Sequence, residues 1–129
     1  MSRKRSKREW TYSDLLDAVP LVNPDSDSEP LSDGGLYVTF RVRVSAFRRA
    51  PFKWFAKDRP FRYRRQLDRV GREIWEMMDG RTRMEIIFER FADNHRLSFH
   101  EARLAVMTFL KSLTEIGAVQ MTRPGPPRR

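Results

Sequence analysis

The chain has 129 residues, no cysteine and a formal net charge of +9. That length suffices for one modest core with tails, and the lack of thiols removes disulfides, thiolate metal sites, iron–sulfur clusters and cysteine nucleophiles together. No apolar run is long enough to span a bilayer, and the basic opening MSRKRSKRE has no apolar segment behind it, so a cytoplasmic location is expected.

The charge is segregated along the chain. Residues 1–9 carry five basic groups and one acidic, whereas 10–40 carry six acidic and none basic. Residues 41–69 hold eleven basic and two acidic groups, 70–119 seven basic and eight acidic, and the last ten add three basic. A positive field of this kind draws anionic partners without dictating a fold.

Residues 1–19 read as a basic tail, mostly without fixed structure, with Trp10 and Tyr12 as apolar anchors. Within it Ser13 is placed to cap one helical turn through Ala18, which Pro20 ends. Leu21 to Leu31 is polar and acidic with two prolines, which predicts at most a weak edge strand. Asp33-Gly34-Gly35 is a turn signal opening the clearest strand, Leu36 to Val44. Leu36, Val38, Phe40, Val42 and Val44 share one face, and Tyr37, Thr39, Arg41 and Arg43 share the other. A period of two means one buried and one wet face.

Ser45 to Pro60 mixes Phe47, Phe52, Trp54 and Phe55 with Arg48, Arg49, Lys53 and Lys57. It reads as an ordered connection whose aromatics plug the core, with a membrane-surface or nucleic-acid role as the alternative. Phe61 to Leu67 alternates again, with Phe61, Tyr63 and Leu67 opposite Arg62, Arg64 and Gln66.

Helical spacing begins at Leu67 to Gly80, LDRVGREIWEMMDG. Asp68 suits the N-cap, Val70, Ile74, Met77 and Met78 form the stripe, Trp75 widens it, and Gly80 stops it. Thr82 to Glu85 reads as a capping box for a second helix, with Met84, Ile87, Phe88 and Phe91 inward and an end near Asn94. Ser98 to Glu101 reads as another, starting a longer helix to Ile116. Ala102, Val106, Phe109, Leu113 and Ile116 form its core stripe, Gly117 closes it, and Ala118 to Met121 makes a short final strand or extended segment. The expected fold is α+β of winged helix-turn-helix type: an N-terminal antiparallel sheet of about three strands, then a three-helix bundle. The domain is expected over 20–121, with tails at 1–19 and 122–129.

The segment from Leu67 to Val119 resembles the PqqD-like family, whose members serve as recognition elements for ribosomally made, modified peptides. The resemblance rests on Leu67-Asp68, Ile74-Trp75, Asp79-Gly80, Thr82 with Glu85-Ile86, and Leu113 with Gly117-Ala118 in that order. Pro20 to Pro24 and Asp33-Gly34 extend it over about residues 20–121. The long 45–60 connection and extended N-terminal tail depart from the family pattern. The resemblance implies a non-catalytic peptide chaperone. It would capture the leader of a precursor peptide as an added strand and present it to a modifying enzyme, commonly a radical SAM enzyme. Carried onto this chain, the groove would lie between Phe61–Leu67 and the helix from Phe99. Its residues would be Phe61, Arg62, Tyr63, Arg64, Arg65, Arg103, Met107 and Leu110. The arginines suit an acidic leader, or else a solvated sheet face. Met107 and Leu110 suit either apolar groove pockets or the core.

Two rival readings stand beside this one. A basic winged helix is a candidate for nucleic-acid binding, but the long helix sets Arg103 and Lys111 against Glu101 and Glu115 and has no Asn or Gln. A free sheet edge could equally pair two copies into a homodimer. Catalysis is not expected: His95 and His100 lack a common helix face, Glu73 and Glu76 read as solvated, and no cofactor or metal motif is present.

Overall fold

Four helices and two antiparallel sheets make up the described residues of the computed structural model, 10–42 and 61–122, with Val42 and Phe61 described as backbone. In chain order these are α1 (Tyr12–Asp17), β1 (Val19–Val22), β2 (Ser26–Pro30), β3 (Leu36–Val42), β4 (Phe61–Leu67), α2 (Arg69–Met77), α3 (Met84–His95), α4 (Phe99–Glu115) and β5 (Val119–Thr122). Strand order is β2-β3-β4 in one sheet and β1-β5 in the other. The chain is thus α+β. The described residues hold a three-stranded sheet, β2-β3-β4, and beside it a two-stranded one in which the C-terminal segment pairs with β1. The basic-aromatic connection at 45–60 and the end of the strand expected to reach Val44 lie outside the described residues.

Period two on β3 does what it predicts. Leu36, Val38 and Phe40 are buried, and Phe40 stacks on Tyr63 of β4 at 5.7 Å between ring centroids. Three helices cover this face. Ile74 and Trp75 come from α2, Met84, Ile87 and Phe88 from α3, and Ala102, Val106, Leu110 and Leu113 from α4. Burial of each large side chain contributes about 1.5–3 kcal/mol. Val70, expected in the α2 stripe, is instead 41% exposed, because the stripe outruns the core by one turn. Gly71 lets α2 seat closely: a methyl there would meet the Phe109 ring at 2.9 Å.

The caps refine the boundaries. Asp68 accepts the Gly71 N–H at 2.8 Å, as predicted. At the N-terminus the cap is Thr11 rather than Ser13. Thr11 has an acid three residues on, and Thr11 and Asp14 exchange hydrogen bonds of 3.0 and 3.1 Å. α1 is part of the packed unit, since Ala18 is fully buried and its carbonyl accepts the Met84 N–H at 2.8 Å.

The box expected at Thr82 does not form. Asp79 captures that segment first, accepting the Arg81 N–H at 2.9 Å, the Thr82 N–H at 2.8 Å and the Thr82 hydroxyl at 3.0 Å. Helix α3 then begins after Arg83 with no side-chain cap, and the Ala18 carbonyl takes up one of its orphan donors. The backbone N–H groups of Arg81 and Thr82 hold the Asp79 carboxyl from its ordinary 3.8 down to about 2. A depressed folded-state value contributes stability above pH 3.8 that is lost as pH falls through about 2. Asp79→Ala should therefore unfold more easily than the parent at pH 6, with the gap closing toward pH 2. Urea midpoints across that range check this, and a gap that stays constant would contradict the assignment.

The box at Ser98 does form. Ser98 and Glu101 bond reciprocally at 3.1 and 2.9 Å, and the Ser98 N–H holds the Glu101 carboxyl below the usual range. At the other end Gly117, at φ +86°, donates to the Thr114 carbonyl at 3.2 Å while Ala118 donates to that of Leu113 at 3.0 Å. This is a Schellman closure, and it turns the chain into β5.

Candidate functional site

Hydrogen-bond alternation in the three-stranded sheet decides which backbone groups are free. The Arg41 N–H donates to the Asp25 carbonyl at 3.3 Å and the Leu31 N–H to that of Gly35 at 3.0 Å, so odd-numbered residues of β3 bond toward β2. Leu36, Val38 and Phe40 therefore bond toward β4, where they face Leu67, Arg65 and Tyr63. The N–H and C=O groups of Arg62, Arg64 and Gln66 point away from β3. β4 is an edge strand, and among the described residues nothing pairs with those outward groups.

Side-chain faces follow from the same register. Tyr63 and Arg65 lie on the helix side with Phe40 and Val38, whereas Arg62 and Arg64 lie on the opposite face with Arg41 and Thr39. Arg64 sits 5.9 Å from the Tyr37 ring centroid in a cation–π contact on that outer face. The described backbone of Phe61 starts the strand, and its side chain lies outside the described residues. The expected basic set thus divides. Arg65 is the cation on the groove side, while Arg62 and Arg64 supply outward backbone groups and a positive outer surface.

Packing shows where the helix residues expected to complete the groove lie. Leu110 is fully buried and belongs to the core. Arg103 and Met107 lie on the flank away from β4. The Arg103 guanidinium stacks 5.5 Å from the Tyr12 ring centroid and lies 2.7 Å from His100 Nδ1, and Met107 faces a cleft with Trp10, Tyr12 and Leu15. The other flank carries Phe109, whose ring lies against Gly71 beside Leu67 at the end of β4. Helical spacing puts Ala105 on that flank too. Tyr63 and Arg65 therefore share the helix-side face of β4, and Phe109 packs against Gly71 near Leu67, at the end of that strand. Two signals for this were in the chain: period two places Arg65 with Tyr63, and Phe109 is the large aromatic of the α4 stripe.

Among the described residues no group of three or more His, Cys, Asp and Glu is placed to hold a metal ion. His95 ends α3 and pairs through Nε2 with Glu73 at 2.8 Å, and Asn94 donates to the same carboxylate at 2.9 Å. Glu76 pairs with Arg72 at 3.0 Å. These groups tie α2 to α3 and to themselves. No helix among the described residues is long and apolar enough to cross a membrane.

Residues 63–119 match the family model described as Coenzyme PQQ synthesis protein D (PqqD), which bears out the resemblance over β4 through the start of β5. Searches of curated proteins and of solved structures return no match.

Proposed function

We propose, from the PqqD-family segment at residues 63–119, that this chain is a non-catalytic cytoplasmic peptide-binding module. It takes the leader of a precursor peptide as an added strand on β4 and presents it to a modifying enzyme, of which a radical SAM enzyme is the family's usual example. In this reading β2-β3-β4 and α2–α4 act as a winged-helix platform. The observation that carries it is the outward backbone ladder of Arg62, Arg64 and Gln66 on the edge strand β4, with Tyr63 and Arg65 on its helix-side face. An extended chain can satisfy those groups while alternate side chains enter the trough, and Arg65 favours an acidic leader.

Amide chemical-shift titration of the full chain tests this with synthetic acidic leader peptides and with duplex DNA. Shifts confined to residues 62–67 and to the Phe109 flank of α4, seen with peptide, are the expected result. Diffuse, salt-sensitive shifts at Arg41, Arg62 and Arg64 with DNA alone would replace the proposal by phosphate-backbone binding on the outer sheet face. Concentration-dependent shifts of β4 without any peptide would replace it by edge-to-edge dimerisation.

A further inference from the structure

A strand added to β4 has two faces, and β4 presents different chemistry to each. Arg62, Arg64 and Gln66 turn their backbone groups outward, so an antiparallel peptide forms hydrogen-bonded pairs opposite them. Opposite Tyr63 and Arg65 it forms the non-bonded pairs, in which side chains approach most closely. Every described strand pairing is antiparallel, the slightly more stable pattern per residue.

On the helix-side face the Tyr63 ring stacks on Phe40 yet stays 37% exposed, and Arg65 is half-buried. On the outer face Arg62 and Arg64 are both exposed. Among the described residues none of these three arginines is in an ion pair. Arg62 also opposes Arg41 directly across β3 and β4, a like-charge pair that an acid on its other side relieves.

The acids of the outer face stand far from this edge. Asp27 and Glu29 lie on β2, opposite Thr39 and Tyr37. β2 is three strand spacings from a strand added to β4, about 14 Å, beyond the screening length of about 8 Å at physiological ionic strength. An incoming strand therefore meets the arginines without competition from those carboxylates.

We infer that β4 reads its peptide residue by residue, taking a segment that runs acid, acid, large apolar, acid from N- to C-terminus. The first acid pairs with Arg65 on the helix side. The second pairs with Arg64 and the last with Arg62 on the outer face, while the apolar side chain between them lies on Tyr63. This rests on leader capture at β4 and adds to it the sequence that is captured.

The probe is a blocked octapeptide, TTEEFETT, titrated into the full chain and followed by the amide shifts of residues 62–67. Replacing its phenylalanine by threonine should raise Kd about threefold or more. Charge exchange then tests each pairing. Lysine in place of the first glutamate (TTKEFETT) or of the second (TTEKFETT) should each weaken binding about threefold or more. Arg64→Glu should restore TTEKFETT and not TTKEFETT, and Arg65→Glu should restore TTKEFETT and not TTEKFETT. If Arg65→Glu loses amide dispersion, Arg65→Gln takes its place and should erase the difference between TTEEFETT and TTKEFETT. Shifts at β4 with no rescue, or with both lysine peptides rescued equally by either variant, overturn the residue pattern and leave leader capture standing. No shifts at β4 with any of the peptides overturns capture at that edge and the pattern with it.

Discussion

Gln66→Pro should weaken leader-peptide capture roughly tenfold to a hundredfold while leaving the protein folded. Gln66 is exposed, its N–H points off the free edge of β4, and its cross-strand neighbour Tyr37 bonds toward β2 instead. Proline costs such a strand no ladder bond, and Arg65 before it already has the extended backbone that proline requires. The incoming peptide loses a donor and is left with an unmet carbonyl at its centre, an effect of about 1–3 kcal/mol, or roughly tenfold to a hundredfold in Kd. Isothermal titration against an acidic peptide reads the affinity, and urea unfolding reads the fold. Parent-like binding by a folded Gln66→Pro would mean that the peptide does not extend the sheet at β4.

Leu110→Asp should unfold the protein, whereas Met107→Asp, three residues earlier on α4, should not. Leu110 is fully buried between α4 and the rest of the core, so the substitution both empties the site and buries a carboxylate without a partner. Truncation of such a leucine alone costs about 2–5 kcal/mol, and the added charge brings the loss to the order of a small domain's whole stability. Met107 is only half-buried and faces the α1–β5 cleft, where an aspartate side chain can reach water. Far-UV circular dichroism with thermal melts separates the two outcomes. Because Met107 lies on the flank away from β4, its aspartate variant should also capture the β4 peptide with unchanged affinity. A large loss of that affinity would return Met107 to the leader groove and remove Phe109 from it.

The outer face of the sheet accounts for another part of the chain's charge. Arg41 and Arg62 are directly opposed across β3 and β4, an arrangement of like charges that destabilises an antiparallel pair. Asp25 and Asp27 share the shallow cleft beside them, which tempers the repulsion without forming a close ion pair among the described residues. Charge of this kind also guards an exposed sheet against unspecific pairing, and it lies apart from the groove-side Arg65.

Local chemistry determined much of this protein from the sequence by itself. Alternation marked β3 and β4, Asp68 and the Ser98–Glu101 box marked helix starts, and Gly117 marked the α4 stop, because each signal acts within a few residues of itself. The ordered series of those signals also carried the family resemblance. Only the tertiary structure decided the rest. Whether Asp79 or helix α3 claims Thr82 depends on which forms the better hydrogen bonds once Ala18 has met Met84. That Val19–Val22 is a strand depends on a partner that arrives about a hundred residues later. Most tellingly, the periodicity of α4 specifies a core meridian but not which flank turns toward β4. A helix wheel is symmetric about its apolar stripe, and the handedness of packing against Gly71 on one side and α1 on the other breaks that symmetry. That is why the stripe alone leaves open which neighbours Arg103, Met107 and Phe109 meet: Arg103 and Met107 face α1, and Phe109 packs against Gly71.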